Sequence, residues 1–264
     1  MADWLATELK SIGVEVETRS LGREPERPHL ELPPVILGRY GRDASKPTIL
    51  LYGHYDVQPA SLEDGWTTDP FVLTIDDEGH MAGRGSSDDK GPIMGWINAL
   101  EGFLRAGVEL PVNILICFEG MEETGSVGLE ELIRNEANGY FKDVDAVCIS
   151  DSVWLGTQRP CLTYGLRGCN FFIATISGAS RDIHAGIYGG AIHEPMVDMV
   201  SVLSTLVNSR GEIKVKGINE MVKPLTSEEE VLYKEIDYTM EDVYEGLGSK
   251  TSIHDNPISS LMSR

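Results

Sequence analysis

Three short apolar runs constrain this chain more than anything else in it: Thr48–Tyr52, Val112–Phe118 and Ala146–Ile149. Each is nearly continuous rather than alternating, and the second is broken only by Asn113. That is the pattern of strands buried on both faces. Helical patterns fall around them. From Pro92 to Ala106, the residues Ile93, Trp96, Ile97, Leu100 and Leu104 make one apolar face. Pro92 suits a first-turn position there and Gly107 ends the run. Val127–Ala137 reads as another helix. So does Asp3–Ile12, where Leu5, Leu9 and Ile12 recur at helical spacing before Gly13. Val14–Arg19 and Val35–Leu37 are further strand candidates, separated by the polar, proline-bearing loop Ser20–Pro34. Strands and helices alternating through about residue 160 predict an α/β domain, a mostly parallel sheet flanked by helices.

Beyond that point the pattern changes. Asn170–Ser177 reads as a strand, and Gly178–Gly190 is rich in glycine and small residues. A helix is predicted from Pro195 to Val207, with Val200, Leu203 and Val207 on one face. Thr226-Ser-Glu-Glu229 is a capping-box signature ahead of Val231–Ile236. A domain boundary is placed near Cys161–Arg167, dividing the chain into residues 1–163 and 164–264.

Composition excludes some classes of function. The formal net charge of −20 repels phosphate backbones, which argues against a nucleic-acid partner. No stretch reaches the roughly 18 apolar residues of a membrane span, and Met1–Lys10 lacks the apolar core of a signal peptide. The four cysteines, Cys117, Cys148, Cys161 and Cys169, form no CxxC pair and suggest no disulfide framework. A reducing compartment follows, so the expected location is cytoplasmic.

The chemistry-bearing residues stand just past the apolar runs. In an open α/β sheet, strands that stop at one edge deliver their next residues into one crevice, where ligands bind. His54 and Asp56 follow the first run, and residues two apart in extended chain point the same way. Asp56 suits the task of holding the His54 ring and its tautomer. Asp88 and Asp89 precede the helix at Pro92, after the glycine-rich Gly83–Ser87. One of the pair is expected to bind a ligand and the other to support it; helix capping is the competing explanation. Glu122 and Glu123 follow Val112–Phe118, and such a pair admits a division of labour. One glutamate binds a metal, and the other takes a proton from water that the metal has acidified from ~15.7 to about 7. Asp151 follows Ala146–Ile149. Singly, each is an ordinary surface group; together, an imidazole and several carboxylates suit zinc or manganese.

Four stretches carry a family resemblance: Tyr52-Gly-His-Tyr-Asp-Val-Gln-Pro59, Gly83-Arg-Gly-Ser-Ser-Asp-Asp-Lys-Gly91, Glu119-Gly-Met-Glu-Glu-Thr-Gly-Ser126 and Ile149-Ser-Asp151. In that order they resemble the dizinc metallopeptidase family of aminoacylase, bacterial glutamate carboxypeptidase and carnosinase. Val57-Gln-Pro59, Tyr164-Gly-Leu-Arg-Gly168 and Asp182-Ile-His-Ala-Gly-Ile-Tyr-Gly-Gly190 favour the branch of cytosolic nonspecific dipeptidase, carnosinase and the fungal Cys-Gly dipeptidase. The resemblance implies a zinc-peptidase-like catalytic domain followed by an inserted α+β lid through which two copies pair. It implies two divalent metal ions, zinc or else manganese: His54 and Asp151 on one, Glu123 on the other, Asp88 bridging both. Glu122 is implied as general base and Asp56 as the residue orienting His54. His184 matches a lid histidine that reaches a neighbouring subunit's site. The implied reaction is hydrolysis of a small dipeptide, Cys-Gly or carnosine-like. The family takes a further metal-binding histidine from beyond the lid, whereas this chain ends at Arg264 and lacks the family's first helices. It is therefore expected to be part of a longer protein, with weak activity or none by itself. A non-catalytic metal-binding or dimerising chain, and a deacylase or carboxypeptidase of the same family, stay open.

Overall fold

A computed structural model of the chain describes residues 1–152, 155 and 159–262. They fall into two compact units, Met1–Val153 and Trp154–Arg264.

In the first unit a helix, α1 (Ala2–Ser11), buries Leu5, Ala6 and Leu9 and leads through Gly13 into strand β1 (Glu15–Arg19). The strands β2 (Val35–Tyr40) and β3 (Thr48–His54) follow, then a small hairpin, β4 (Thr74–Ile75) and β5 (Met81–Ala82). The remaining elements are α2 (Lys90–Ala106), β6 (Asn113–Glu119), α3 (Leu129–Glu136) and β7 (Ala146–Ile149). The main sheet has the order β1-β2-β6-β3-β7. β3 runs parallel to β6 and β7, while β1 and β2 are antiparallel additions, so the sheet is mixed. The connections explain the change of sense. β3 reaches β6 through α2, and β6 reaches β7 through α3, as parallel crossovers require. The Ser20–Pro34 loop between β1 and β2 contains no such helix.

The two faces of the sheet bury different sets. Ile36, Leu51, Ile114, Ile116 and Phe118 meet Leu5 and Leu9 of α1 and Ile93, Ile97 and Leu100 of α2. On the opposite face, Val35, Leu37 and Cys117 meet Leu129, with Leu132, Tyr140 and Phe141 packed alongside. β6 lies between neighbours on both sides and is buried along its whole length. This accounts for its unbroken apolar run. Burial also pushes the Cys117 thiol up to about 12, leaving it neutral and inert. Asn113, the interruption in that run, has a structural task. Its side-chain oxygen accepts the Asp43 N–H at 2.9 Å, and its amide donates to the carbonyls of Asp43 (2.8 Å) and Lys46 (3.2 Å). It thereby fastens the β2–β3 turn to the start of β6.

The second unit holds helices α4 (Ala185–Tyr188), α5 (Pro195–Leu206), α6 (Ile218–Met221), α7 (Ser227–Lys234), α8 (Met240–Leu247) and α9 (Pro257–Met262). The capping box forms as its sequence predicts: Thr226 Oγ1 accepts the Glu229 N–H at 3.1 Å, and the Glu229 carboxylate accepts the Thr226 N–H at 2.9 Å. Helix α5 stops one residue short of Val207, which is extended and bridges to Ile213. The strand expected at Asn170–Ser177 is not formed. A strand exists only through a hydrogen-bonded neighbour, and no described residue pairs with this stretch. Phe171, Phe172 and Ile173 accordingly stand exposed. No described helix is long and apolar enough to cross a membrane.

Replacing Asn113 by leucine would leave the Asp43 N–H and the Asp43 and Lys46 carbonyls without their partner. Asn113→Leu should therefore destabilise the fold by about 1–3 kcal/mol in urea unfolding; an unchanged midpoint would remove Asn113 from its structural role.

Candidate metal centre

The register of three strands builds the site. Pairing of β3 with β6 sets His54 opposite Glu119, and pairing with β7 sets Tyr52 opposite Ile149. Asp151, two residues beyond Ile149, therefore emerges at the same edge as His54. The His54 side chain is fully buried and held from both ends of its ring. Nδ1 lies 3.2 Å from a carboxylate oxygen of Asp56. Nε2 lies 2.8 Å from Asp88 Oδ1, 3.6 Å from Asp151 Oδ2 and 3.9 Å from Glu122 Oε2.

Donor atoms of His54, Asp88 and Asp151 all lie within 4.8 Å of one another, close enough for one cation to touch all three. One imidazole nitrogen with carboxylate oxygens is a donor set for zinc or manganese. The electrostatics point the same way. Burial opposes charge on His54, but Asp151, Asp56 and Glu122 outweigh it and hold its pKa above the ordinary histidine value. Burial, then the charge of Asp151, raises Glu122; burial, then the charge of Asp88, raises Asp151. Carboxylates that resist ionising beside one another are relieved by a cation among them.

Asp89 separates from Asp88. It is buried, and its Oδ2 accepts the backbone N–H of His54 at 3.0 Å. Burial pushes its pKa up to about 7. Its side chain does not cap α2, so the helix-capping explanation fails for this residue. Gly53 permits the arrangement: a Cβ there would sit 2.7 Å from Asp89 Oδ2 and 2.9 Å from Ile93 Cγ1. Gly120 plays a similar part, since a Cβ on it would meet the Tyr55 ring at 2.6 Å.

Asp56 does more than face His54. Its two oxygens accept the backbone N–H groups of Glu122 (3.3 Å) and Glu123 (3.1 Å), tying the turn after β6 to the chain after β3. Glu123 stands apart from the three clustered donors. Its carboxylate accepts the backbone N–H of Gln58 at 3.1 Å and the Gln58 side-chain amide at 2.9 Å. His184 belongs to the second unit, where it is exposed and its Nδ1 accepts the Gly186 N–H at 3.0 Å. Sequence reasoning passed over Gln58 as a partner of Glu123 and the buried Glu119. Glycines at both strand ends, Gly53 and Gly120, were the available signals of close approach.

A parallel-stranded edge gathering a histidine and carboxylates in this way is an arrangement that can hold a divalent metal ion. Residues 50–261 match the family described as Peptidase family M20/M25/M40, and the chain belongs to it. Within that family it is 53% identical over 265 residues to "Cys-Gly metallodipeptidase dug1" of Schizosaccharomyces pombe, covering 100% of this chain and 56% of that protein. It is 44% identical over 239 residues to "Beta-Ala-His dipeptidase" of Mus musculus, covering 90% of this chain and 48% of that one. Among solved structures, the di-peptidase Dug1p of Saccharomyces cerevisiae superposes with a TM-score of 0.80 at 53% identity, over 99% of this chain and 55% of that one. Human carnosine dipeptidase 1 superposes with a TM-score of 0.76 at 40% identity, over 99% and 55%. The chain thus spans about half the length of the relatives it matches.

Gly53→Ala would force Asp89 away from the His54 amide or push Ile93 aside. It should destabilise the protein by about 1–3 kcal/mol, read as a lowered urea midpoint; wild-type stability would show that the close approach is unimportant.

Proposed function

We propose that this chain carries the metal-binding part of a hydrolase that cleaves the peptide bond of small dipeptides, Cys-Gly or carnosine-like. The cluster of His54, Asp88 and Asp151 with Glu122 beside it supports this reading most directly, and the dipeptidase names of its relatives supply the substrate class. Two divalent ions, zinc or else manganese, would be held there, His54 and Asp151 serving one, Glu123 the other and Asp88 both. Bound there, the ions would polarise the scissile carbonyl and acidify water. Glu122 takes the proton of the attacking water and passes it to the leaving amine. Its raised pKa suits both halves of that task, because proton transfer is most effective near the working pH. Asp56 keeps the His54 ring in place and, through two backbone N–H groups, fixes the turn that carries Glu122 and Glu123. Gln58 steadies the Glu123 carboxylate.

Residues 1–163 are the N-terminal part of the catalytic domain in this reading. Residues 164–264 are the first part of a lid through which two copies pair, His184 serving the neighbouring copy's site. The protein works in the cytoplasm. A second reading, a metal-binding chain without hydrolytic activity, is favoured by the engagement of Glu123 with Gln58 rather than with the cluster. Metal binding without any turnover in protein of its relatives' full length would single it out.

The test is Glu122→Gln in protein of the relatives' full length, loaded with zinc or manganese and assayed with Cys-Gly and β-alanyl-histidine. Metal content should stay at the wild-type level while turnover falls by about 10²–10⁴-fold. Undiminished turnover would remove Glu122 from the chemistry.

A further inference from the structure

Glu119 is a costly residue to place where it stands. It closes β6, its side chain is fully buried, and the four positions before it are filled by Leu115, Ile116, Cys117 and Phe118. A carboxylate withdrawn from water destabilises unless it is well bonded. Here the bonding falls on one oxygen: Oε1 accepts the hydroxyls of Tyr52 at 2.6 Å and Ser126 at 2.7 Å. Oε2 is buried with no protein partner.

The two donors say what the carboxylate connects. Tyr52 is on β3, two residues before His54. Ser126 ends the loop that starts at Gly120 and carries Glu122 and Glu123. Ser126 is also the one described residue other than glycine in the left-handed region, at φ 52°. A side chain takes that conformation only where its surroundings dictate it. Ser126 is held by its own N–H to the Met121 carbonyl at 2.7 Å and by its hydroxyl to Glu119. The Glu119 carbonyl meanwhile accepts the Tyr55 N–H at 2.8 Å, so the chain just after β3 grips the entrance of the loop as well. Entrance and exit of one loop are thus tied through a single side chain to the strand bearing His54.

We infer that Glu119 is a positioning residue: through Tyr52 and Ser126 it clamps the Gly120–Gly125 loop to β3 and so fixes Glu122 and Glu123 relative to His54. Its side chain bonds to Tyr52 and Ser126, not to the clustered donors or Glu122. The inference rests on the proposed roles of Glu122 and Glu123 for its significance, but the clamp itself can be tested without them.

Hydrogen exchange at the Glu122 and Glu123 amides, both bonded to Asp56, reads the loop directly. Ser126→Ala, Ser126→Gly and Tyr52→Phe should each speed it by about tenfold or more, the effect of losing a hydrogen bond to a charged group, with the core amides of β2 and β6 unchanged. Ser126→Gly relieves the left-handed conformation, so its agreement with Ser126→Ala assigns the effect to the hydroxyl. Glu119→Gln retains an accepting oxygen and should keep slow exchange. Loop exchange unaltered in the three donor variants, or loop and core exchange accelerated together, would overturn the inference. A parallel titration with cobalt(II) reads the metal site: in the same variants binding should weaken and the visible absorption bands should change. Wild-type-like cobalt spectra in variants with loosened loops would also overturn it. If wild-type protein binds no cobalt while the variants loosen the loop, the metal reading fails and the clamp stands.

Discussion

The parallel register of β3 between β6 and β7 is the constraint on which the rest of this structure depends. A strand's side chains alternate with a period of two, so slipping β3 by one residue would turn His54 to the opposite face. It would also bring Leu51 and Tyr52 out of their separate cores. The register is therefore held by burial on both faces of the sheet, far more strongly than by any contact within the site. The geometry of the site is inherited from core packing: the side chains that hold β3 in place are Leu50, Leu51 and Tyr52, and His54 is carried by them.

Around that strand the acidic residues are distributed between two tasks. Asp88 and Asp151 face the His54 ring, while Asp56, Asp89 and Glu119 hold backbone and loops. Asp89 secures the His54 amide from beneath, Asp56 joins the chain after β3 to the turn after β6, and Glu119 reaches Tyr52 and Ser126. Supporting carboxylates of this kind cost stability in isolation and are repaid through the hydrogen bonds they accept. The glycines at 53 and 120 belong to the same construction, since each leaves room for a neighbour that a methyl group would displace.

Much of this was legible in the sequence because it depends on local pattern. Continuous apolar runs marked β3, β6 and β7, helical spacing and terminal glycines marked α1 and α2, and the position of His54 and Asp151 just beyond strands marked a shared edge. What was not legible depends on groups distant along the chain. The division between Asp88 and Asp89 was expected, but that Asp89 would turn under Gly53 to meet the His54 amide follows from the packing of α2 against β3. Neither the engagement of Glu123 by Gln58 nor the burial of Glu119 has a local signature. The segment Asn170–Ser177 shows the converse: its composition favours a strand, but strand formation needs a partner that composition does not supply. The antiparallel sense of β1 and β2 was missed for a simpler reason, a loop between them too irregular to read as a turn.

The central claim is that His54, Asp88 and Asp151 together bind a divalent ion. X-ray absorption at the zinc edge, on wild-type protein and on His54→Ala, tests it most directly. The account predicts a bound zinc with a nitrogen and oxygen shell at about 2.0–2.2 Å, and loss of that nitrogen and of most of the bound metal in His54→Ala. A wild-type protein that retains no zinc, or one whose zinc shell and content are indifferent to His54→Ala, would contradict it.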